Sequence, residues 1–417
     1  MIKTVHRAKY VLAEPDLLLQ NGAVQISNDG MILSVGPWQR LFGRQKDETE
    51  VVDWGSAVIM PGLINAHTHL ELTHLRGQLT RFSSFPDWIS QLIRNRRSWT
   101  HNDFLASARE GTRLSLASGT TLVGDITSSG VTCSVAKGAR LRKVIFEEVI
   151  GLSPSQADEA LLKLNRLIAG TAPDFFVKYG ISPHAPYSVS AELYVGVAKM
   201  ARSQERLLET HVSETTAEVE FLKTGTGEFR DFLSRIGSLP ADWTPPGLHP
   251  IAYLNSLGIL GQNCILIHCN YLDRESIGLI INSGSSVVYC PRSHDFFGHA
   301  HHPIRQLLDS GVNVALGTDS LASNTTLSLL DEMRYLFKIR KDIRPEEIFR
   351  AATLNGAKAL CFSGSLGRLK SGYCADMTVV EIEPTMETGQ VLVHILEGAG
   401  DCIATIVQGE VAWRRPE

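Results

Sequence analysis

The chain has 417 residues, 43% hydrophobic and 20% charged, with a formal net charge of −4 and a pI near 6.4. This is a globular composition with ample material for a core, and no run reaches the ~18 apolar residues that span a bilayer. No long basic tract occurs, which argues against nucleic acid or an anionic membrane as the primary partner. The densest basic patch is "RNRRSW" at 94–99, readable as a solvated helix face or as an anion contact.

Residues 1–56 read as short strands, with "GAVQISNDGMILSVG" hinged on Asn28-Asp29-Gly30, a hairpin signal. The N-terminus lacks the uninterrupted apolar stretch of a signal peptide. From residue 57 the pattern changes. Apolar, β-branched runs occur at "AVIMPGLINAH", "GTTLVGDIT", "RKVIFEEVIG", "FFVKYGISPH", "RLLETHVSE", "NCILIHCN", "SSVVYCPRS" and "VNVALGTDS". Helical stretches such as "NDFLASAREGTRLSLASG" separate them. Apolar strands alternating with amphipathic helices indicate a parallel sheet, and eight such units a (β/α)8 TIM barrel. The Pro/Gly/Trp-rich "GSLPADWTPPGLHP" at 237–250 reads as a loop at the barrel rim. The C-terminal end returns to β character, with "ADMTVVEIEP" followed by "CIATIVQGEVAW" pivoting on Gln408-Gly409. The expected organisation is α/β: a barrel over 57–362 and a small β-sandwich built from 1–56 and 363–417. Seven cysteines at 133, 264, 269, 290, 361, 374 and 402 form no CxxC pair, as expected of reduced thiols in a cytoplasmic protein.

Titratable residues cluster where barrel strands end. The first strand runs into His67 and His69, the fourth ends at His184, the fifth at His211 with Glu214 three residues on, the sixth at His268 and the eighth at Asp319. In this fold the C-terminal ends of the strands build the active site. Strand side chains alternate with period two, so His67 and His69 share a face and can share one ion. With His211 and Asp319 at the same mouth, three imidazoles and one carboxylate suit zinc, with iron the second choice.

"PGLINAHTHL", "SPHAPYS", "HVSET", "IHCNYL" and "LGTDSLASN" together resemble the amidohydrolase superfamily. Within it they are most similar to the mononuclear branch of cytosine deaminases and chlorohydrolases, which includes methylthioadenosine and adenosylhomocysteine deaminases. The resemblance implies one divalent metal per chain on His67, His69, His211 and Asp319. It makes Glu214 the proton shuttle, His268 the neighbour of the metal-bound water and His184 a substrate contact. Two-metal relatives carry a lysine at the end of the fourth strand; here Lys178 comes six residues before His184, too early in the strand, so one metal is expected. The implied chemistry is attack of zinc-activated water on a ring carbon bearing an amino group, with Asp319 accepting the water's proton.

Substrate contacts are also expected from Glu71, His74 and Arg76, which follow the metal histidines, from Trp88 in a helical lid over 78–100, and from Ser293 and His294. His299, His301 and His302 are read as loop histidines rather than a second metal site. "HLELTHLRG", "PDWI" and "PPGLHPIAYL" are similar to aminodeoxyfutalosine deaminases, which act on an adenine-bearing nucleoside in menaquinone biosynthesis. The expected partner is therefore a small nucleoside or heterocycle, with a homodimer compatible with the sequence. The alternatives are hydrolysis of chloride or an amine from a triazine, and a non-catalytic barrel.

Overall fold

The computed structural model describes residues 2–42, 49–79, 82–136, 138–169, 174–398 and 400–416. Thr80 and Arg81 of the expected lid segment, and the Cys133 side chain, lie outside the described residues. The barrel strands are β1 (Leu63–Thr68), β2 (Thr120–Thr127), β3 (Arg142–Val149), β4 (Val177–Pro183), β5 (Leu208–Val212), β6 (Cys264–His268), β7 (Ser286–Tyr289) and β8 (Val314–Leu316). They pair in parallel in chain order from β1 to β8. A parallel bridge between Thr68 and Asp319 joins the two end strands, and the Asn65 amide spans the same seam by donating to Thr318 Oγ1 at 2.8 Å. All eight apolar runs of the sequence supply a barrel strand.

The strands are apolar on both sides because both are covered. Along β6, Cys264 and Leu266 join the core cluster under the outer helices, whereas Ile265 and Ile267 join the cluster with Ile64, Val144 and Val288. Burying each such side chain contributes about 1.5–3 kcal/mol. The helix His101–Ala117 starts on a capping box: Asp103 N donates to Thr100 Oγ1 at 3.3 Å, and the Asp103 carboxylate accepts from Thr100 N at 2.7 Å. Its Gly111 is required by contact, since a Cβ there would lie 2.4 Å from Thr73 Oγ1.

The chain ends build a second, mixed sheet, ordered Glu410–Arg414, Cys402–Val407, Met377–Glu381, Ala57–Pro61, Ile2–Glu14, Leu17–Ser27, Ile32–Pro37, with Glu50–Asp53 paired beside Ile2–Glu14. Both expected hairpins form, and apolar residues from the two chain ends, such as Val24, Ile59 and Ile406, make one cluster. One expectation changes. The run "AVIMPGLINAH" is not a single strand: Ala57–Pro61 pairs antiparallel with Met377–Glu381 in the outer sheet, and β1 begins at Leu63. The break is Gly62, where a Cβ would lie 2.2 Å from Thr121 Oγ1. No side chain fits where the chain passes from one sheet to the other.

Below the barrel, Arg142 at the start of β3 grips Asp376 through Nε at 2.8 Å and Nη2 at 3.1 Å, both residues buried. The sixth strand's Cys264 and five other described cysteines (269, 290, 361, 374 and 402) are free thiols. No helix among the described residues is long and apolar enough to cross a membrane.

Candidate active site

The strand ends at the barrel mouth are conformationally unusual. Ser213, His268, Cys269 and Asp319 all adopt positive φ, 52°, 70°, 52° and 56°. Left-handed backbone at non-glycine residues costs of order 1–3 kcal/mol each and concentrates at functional sites. The turns re-aim side chains from β5, β6 and β8 over the barrel axis.

There the imidazoles of His67, His69 and His211 converge, each with one nitrogen within 4.8 Å of the others. Ring centroids are 4.9 Å apart for His67 and His69, 5.0 Å for His67 and His211, and 5.5 Å for His69 and His211. Hydrogen bonds behind the rings set their orientation. His67 Nδ1 lies 2.6 Å from Glu209 Oε1, and His211 Nδ1 donates to the His184 carbonyl at 3.1 Å. Both Nε2 atoms therefore face the cluster, an arrangement metal-binding histidines share. His67 Nε2 is buried with no hydrogen-bond partner and lies 3.7 Å from Asp319 Oδ1; His69 Nε2 is also 3.7 Å from that oxygen. The Asp319 carboxylate is held from behind by Ser293 Oγ (2.7 Å), Ser323 Oγ (2.5 Å) and Ser320 N (2.7 Å).

The electrostatics ask for a cation at this point. Burial opposes charge on His67, but the nearby Asp319 carboxylate and the hydrogen-bonded Glu209 carboxylate outweigh it and push the ring up to about 9. Burial, then repulsion from His67, drives His69 down to about 3. Asp319 is held well below the usual carboxylate range; burial works against its charge, but the facing His67 ring and the other imidazoles overcome it. In place of that extra proton, a buried Nε2 without a protein partner, beside a carboxylate and two further imidazoles, fits a divalent ion of the zinc type.

Glu214 and His268 flank the cluster, with His268 Nε2 3.5 Å from Glu214 Oε1. Burial first, and then the Asp319 and Glu218 carboxylates, push Glu214 well above the usual carboxylate range. Burial lowers His268 to about 3, leaving it neutral. The cavity above has a volume of about 610 Å³, with His69, His184, His211, Glu214, His268 and Asp319 in its lining. The helix Phe85–Arg96, expected as a lid, forms and contributes Trp88 to the wall; Trp88 Nε1 donates to the Ala322 carbonyl at 3.3 Å.

Other expected contacts are placed elsewhere. His74 and Arg76 are exposed and outside the cavity lining, because the 3-10 segment Leu70–Leu75 turns them away from it. Glu71 reaches the cavity edge, but its carboxylate accepts from Thr127 Oγ1, Ser128 N and Oγ, and Ser129 N and Oγ at 2.5–3.3 Å, tying the ends of β1 and β2 together. Ser293 holds Asp319 rather than lining the cavity, and His294 packs edge-on against Tyr289 outside it. His299 Nδ1 meets the Tyr271 hydroxyl at 3.3 Å, His301 is exposed, and His302 Nε2 donates to the His268 carbonyl at 2.8 Å. Among the described residues, the only cluster of three or more side chains suited to a metal is His67, His69 and His211. Lys178 donates to the Cys361 carbonyl at 3.0 Å.

The comparisons with known proteins agree with this geometry. The model of the amidohydrolase family matches residues 58–412. The chain belongs to the amidohydrolase family. One relative, from Syntrophobacter fumaroxidans, is 34% identical over 376 residues, covering 86% of this chain and 80% of its own, and is named a 5-methylthioadenosine/S-adenosylhomocysteine deaminase. Among solved structures, an adenosine deaminase from Xanthomonas campestris with bound zinc superposes with a TM-score of 0.84 at 27% identity, covering 98% of this chain and 92% of that one. The Helicobacter pylori aminofutalosine deaminase in complex with methylthio-coformycin shares the fold, with a TM-score of 0.87 at 23% identity over 98% of this chain and all of that one.

Sequence reasoning missed three residues of the site. Glu209 sits two positions before His211, hence on the same strand face, and a glutamate inside an apolar strand was a readable signal. Glu218 caps the turn after β5 by accepting from Ser213 N (3.0 Å) and Glu214 N (2.9 Å). Ser323 had no local signal, since its role depends on the loop that follows β8.

Proposed function

We propose that the chain is a metal-dependent hydrolytic deaminase of an aminopurine nucleoside, with one divalent cation, zinc, held by His67, His69, His211 and Asp319. The observation that carries the reading is the three-imidazole cluster with Glu214 and His268 beside it, 3.5 Å apart, in the lining of one cavity of about 610 Å³. The deaminase names of the relatives support it. A cation bound there would supply an acidified water, its pKa lowered to about 7.

The chain's own groups divide the remaining work. Asp319 Oδ1 faces His67 and His69, while the serine hydroxyls hold Oδ2, so an ionised oxygen is positioned to take the water's proton. Glu214 donates its proton to the ring nitrogen next to the amino-bearing carbon, which makes that carbon electrophilic. Neutral His268 offers a hydrogen bond to the oxygen that becomes bonded to it. The C–O bond forms, the C–N bond breaks, the proton taken by Asp319 leaves with the amine as ammonia, and the proton of the added hydroxyl passes to Glu214 as the ring carbonyl forms. General acid–base steps of this kind contribute ~10²–10⁴-fold.

The test is ammonia release by zinc-loaded protein from adenosine, 5′-deoxyadenosine, methylthioadenosine, adenosylhomocysteine, aminodeoxyfutalosine, guanine and a triazine. Turnover of at least one adenine nucleoside is expected, abolished by chelation and restored by zinc. Activity confined to non-aromatic amides or lactones would overturn the reading.

A further inference from the structure

Two charges in the cavity wall have no task in that reaction. Glu148 lies near the end of β3, and Arg96 is the last residue of the helix Phe85–Arg96; both line the cavity, where Arg96 is the one arginine or lysine among the described residues. Neither makes a hydrogen bond or an ion pair among the described residues, although the Arg96 charge acts on both Glu148 and His184. The neighbouring acids differ. Glu71 accepts bonds from three residues, Glu209 is bonded to His67, and Glu218 caps a turn. Glu148 alone of these opens on the cavity without a donor. Protein surrounds it closely enough that burial pushes it up to about 7, with Arg96 pulling back towards the charged form.

Half-exposed in the cavity lining and without a partner among the described residues for their charged ends, both side chains are open to a ligand. A carboxylate has two oxygens side by side and accepts two hydroxyl donors at once, which is how acidic residues hold the ribose of dinucleotides. The site is also at the right depth. Glu148 adjoins Val149, whose carbonyl accepts from His184 N at 3.1 Å, and it shares the cavity lining with His69 and His184. Further out the rim turns apolar, with Ile93, Ile150 and Ile236 exposed by 41%, 54% and 45%.

We infer that Glu148 and Arg96 form a sugar-binding bracket, in which the Glu148 carboxylate accepts both hydroxyls of a vicinal diol and the Arg96 guanidinium donates to one of the same oxygens. This rests on the deaminase reading and narrows it to ribonucleosides over free bases, triazines and dideoxynucleosides.

The experiment measures kcat/KM for ammonia release by zinc-loaded wild type, Glu148→Gln and Glu148→Ala on adenosine, 2′,3′-dideoxyadenosine and adenosylhomocysteine. Wild type should favour adenosine over the dideoxynucleoside by ~10–100-fold, the worth of hydrogen bonds to a charged group. Each variant should lose about that factor on adenosine and change little on the dideoxynucleoside. The wild-type comparison stands even if a variant fails to fold. Wild type indifferent to the diol, or variants that slow both adenosines equally, would overturn the bracket and leave the deaminase intact. A loss confined to adenosylhomocysteine would mean that Glu148 binds an ammonium, and overturns it too. No ammonia from any aminopurine would overturn both.

Discussion

Asp376, under the barrel, accepts two bonds from Arg142, and its Oδ1 also accepts from Gln408 N at 2.8 Å, so both oxygens are in use. Glu214, at the opposite end, faces a cavity, 3.5 Å from a neutral imidazole, and burial pushes it well above the usual carboxylate range. Both acids are buried, yet one is fully paired and the other opens on the cavity. The difference separates the ends of the molecule by purpose: the lower end spends its polar groups on joining barrel to outer sheet, and the upper end holds them in reserve for a ligand, as barrel enzymes do.

Mutations should split along that line, and the largest effect belongs at the mouth. Glu214→Gln should lower kcat/KM by ~10²–10⁴-fold while zinc content and thermal stability hold, checked by ammonia assay, metal analysis and melting. Near-normal turnover would remove Glu214 from the chemistry. Next, Arg142→Met leaves the buried Asp376 carboxylate without its counter-charge, with only the Gln408 N bond remaining. A loss of about 3–5 kcal/mol in unfolding free energy is expected, with activity per folded molecule unchanged. A parallel fall in specific activity would show that the two ends are not independent.

A third effect sharpens the contrast from the outer sheet. His6 accepts from Trp54 Nε1 at 3.2 Å, and burial lowers it to about 4 from an ordinary 6.5. Below pH 6.5 the unfolded chain binds a proton there that the folded chain refuses, so stability is full above 6.5 and falls as the pH drops towards 4. The loss is about 3 kcal/mol. Denaturant titrations across that window should show a slope that His6→Phe removes. The smallest expected change is at Glu209, where Glu209→Gln should weaken zinc retention by ~10-fold, read by competition with a chelator.

The barrel was legible because each of its strands is buried on both faces and so reads as an unbroken apolar run. His67, His69, His211, Glu214, His268 and Asp319 were legible because they end such runs. The partners behind them were not. Ser293 reaches Asp319 from the short helix Pro291–Phe296 and Ser323 from the loop after β8, neither marked by any periodicity, and His302 serves through its bond to a carbonyl. Glu71, His74 and Arg76 look alike in sequence, but a 3-10 turn sends them to different sides. In "FEEV", two glutamates inside an apolar strand were a visible anomaly whose meaning depended on the helix across the cavity.

Because the apolar run before His67 changes sheets at Gly62, Ala57–Pro61 is an interior member of the outer layer, with neighbours from both chain ends. Excising the hydrolase portion at residue 57 would therefore strip both edges of that segment and leave its backbone groups bare beside β1. The catalytic half of this molecule has no clean place to be cut free.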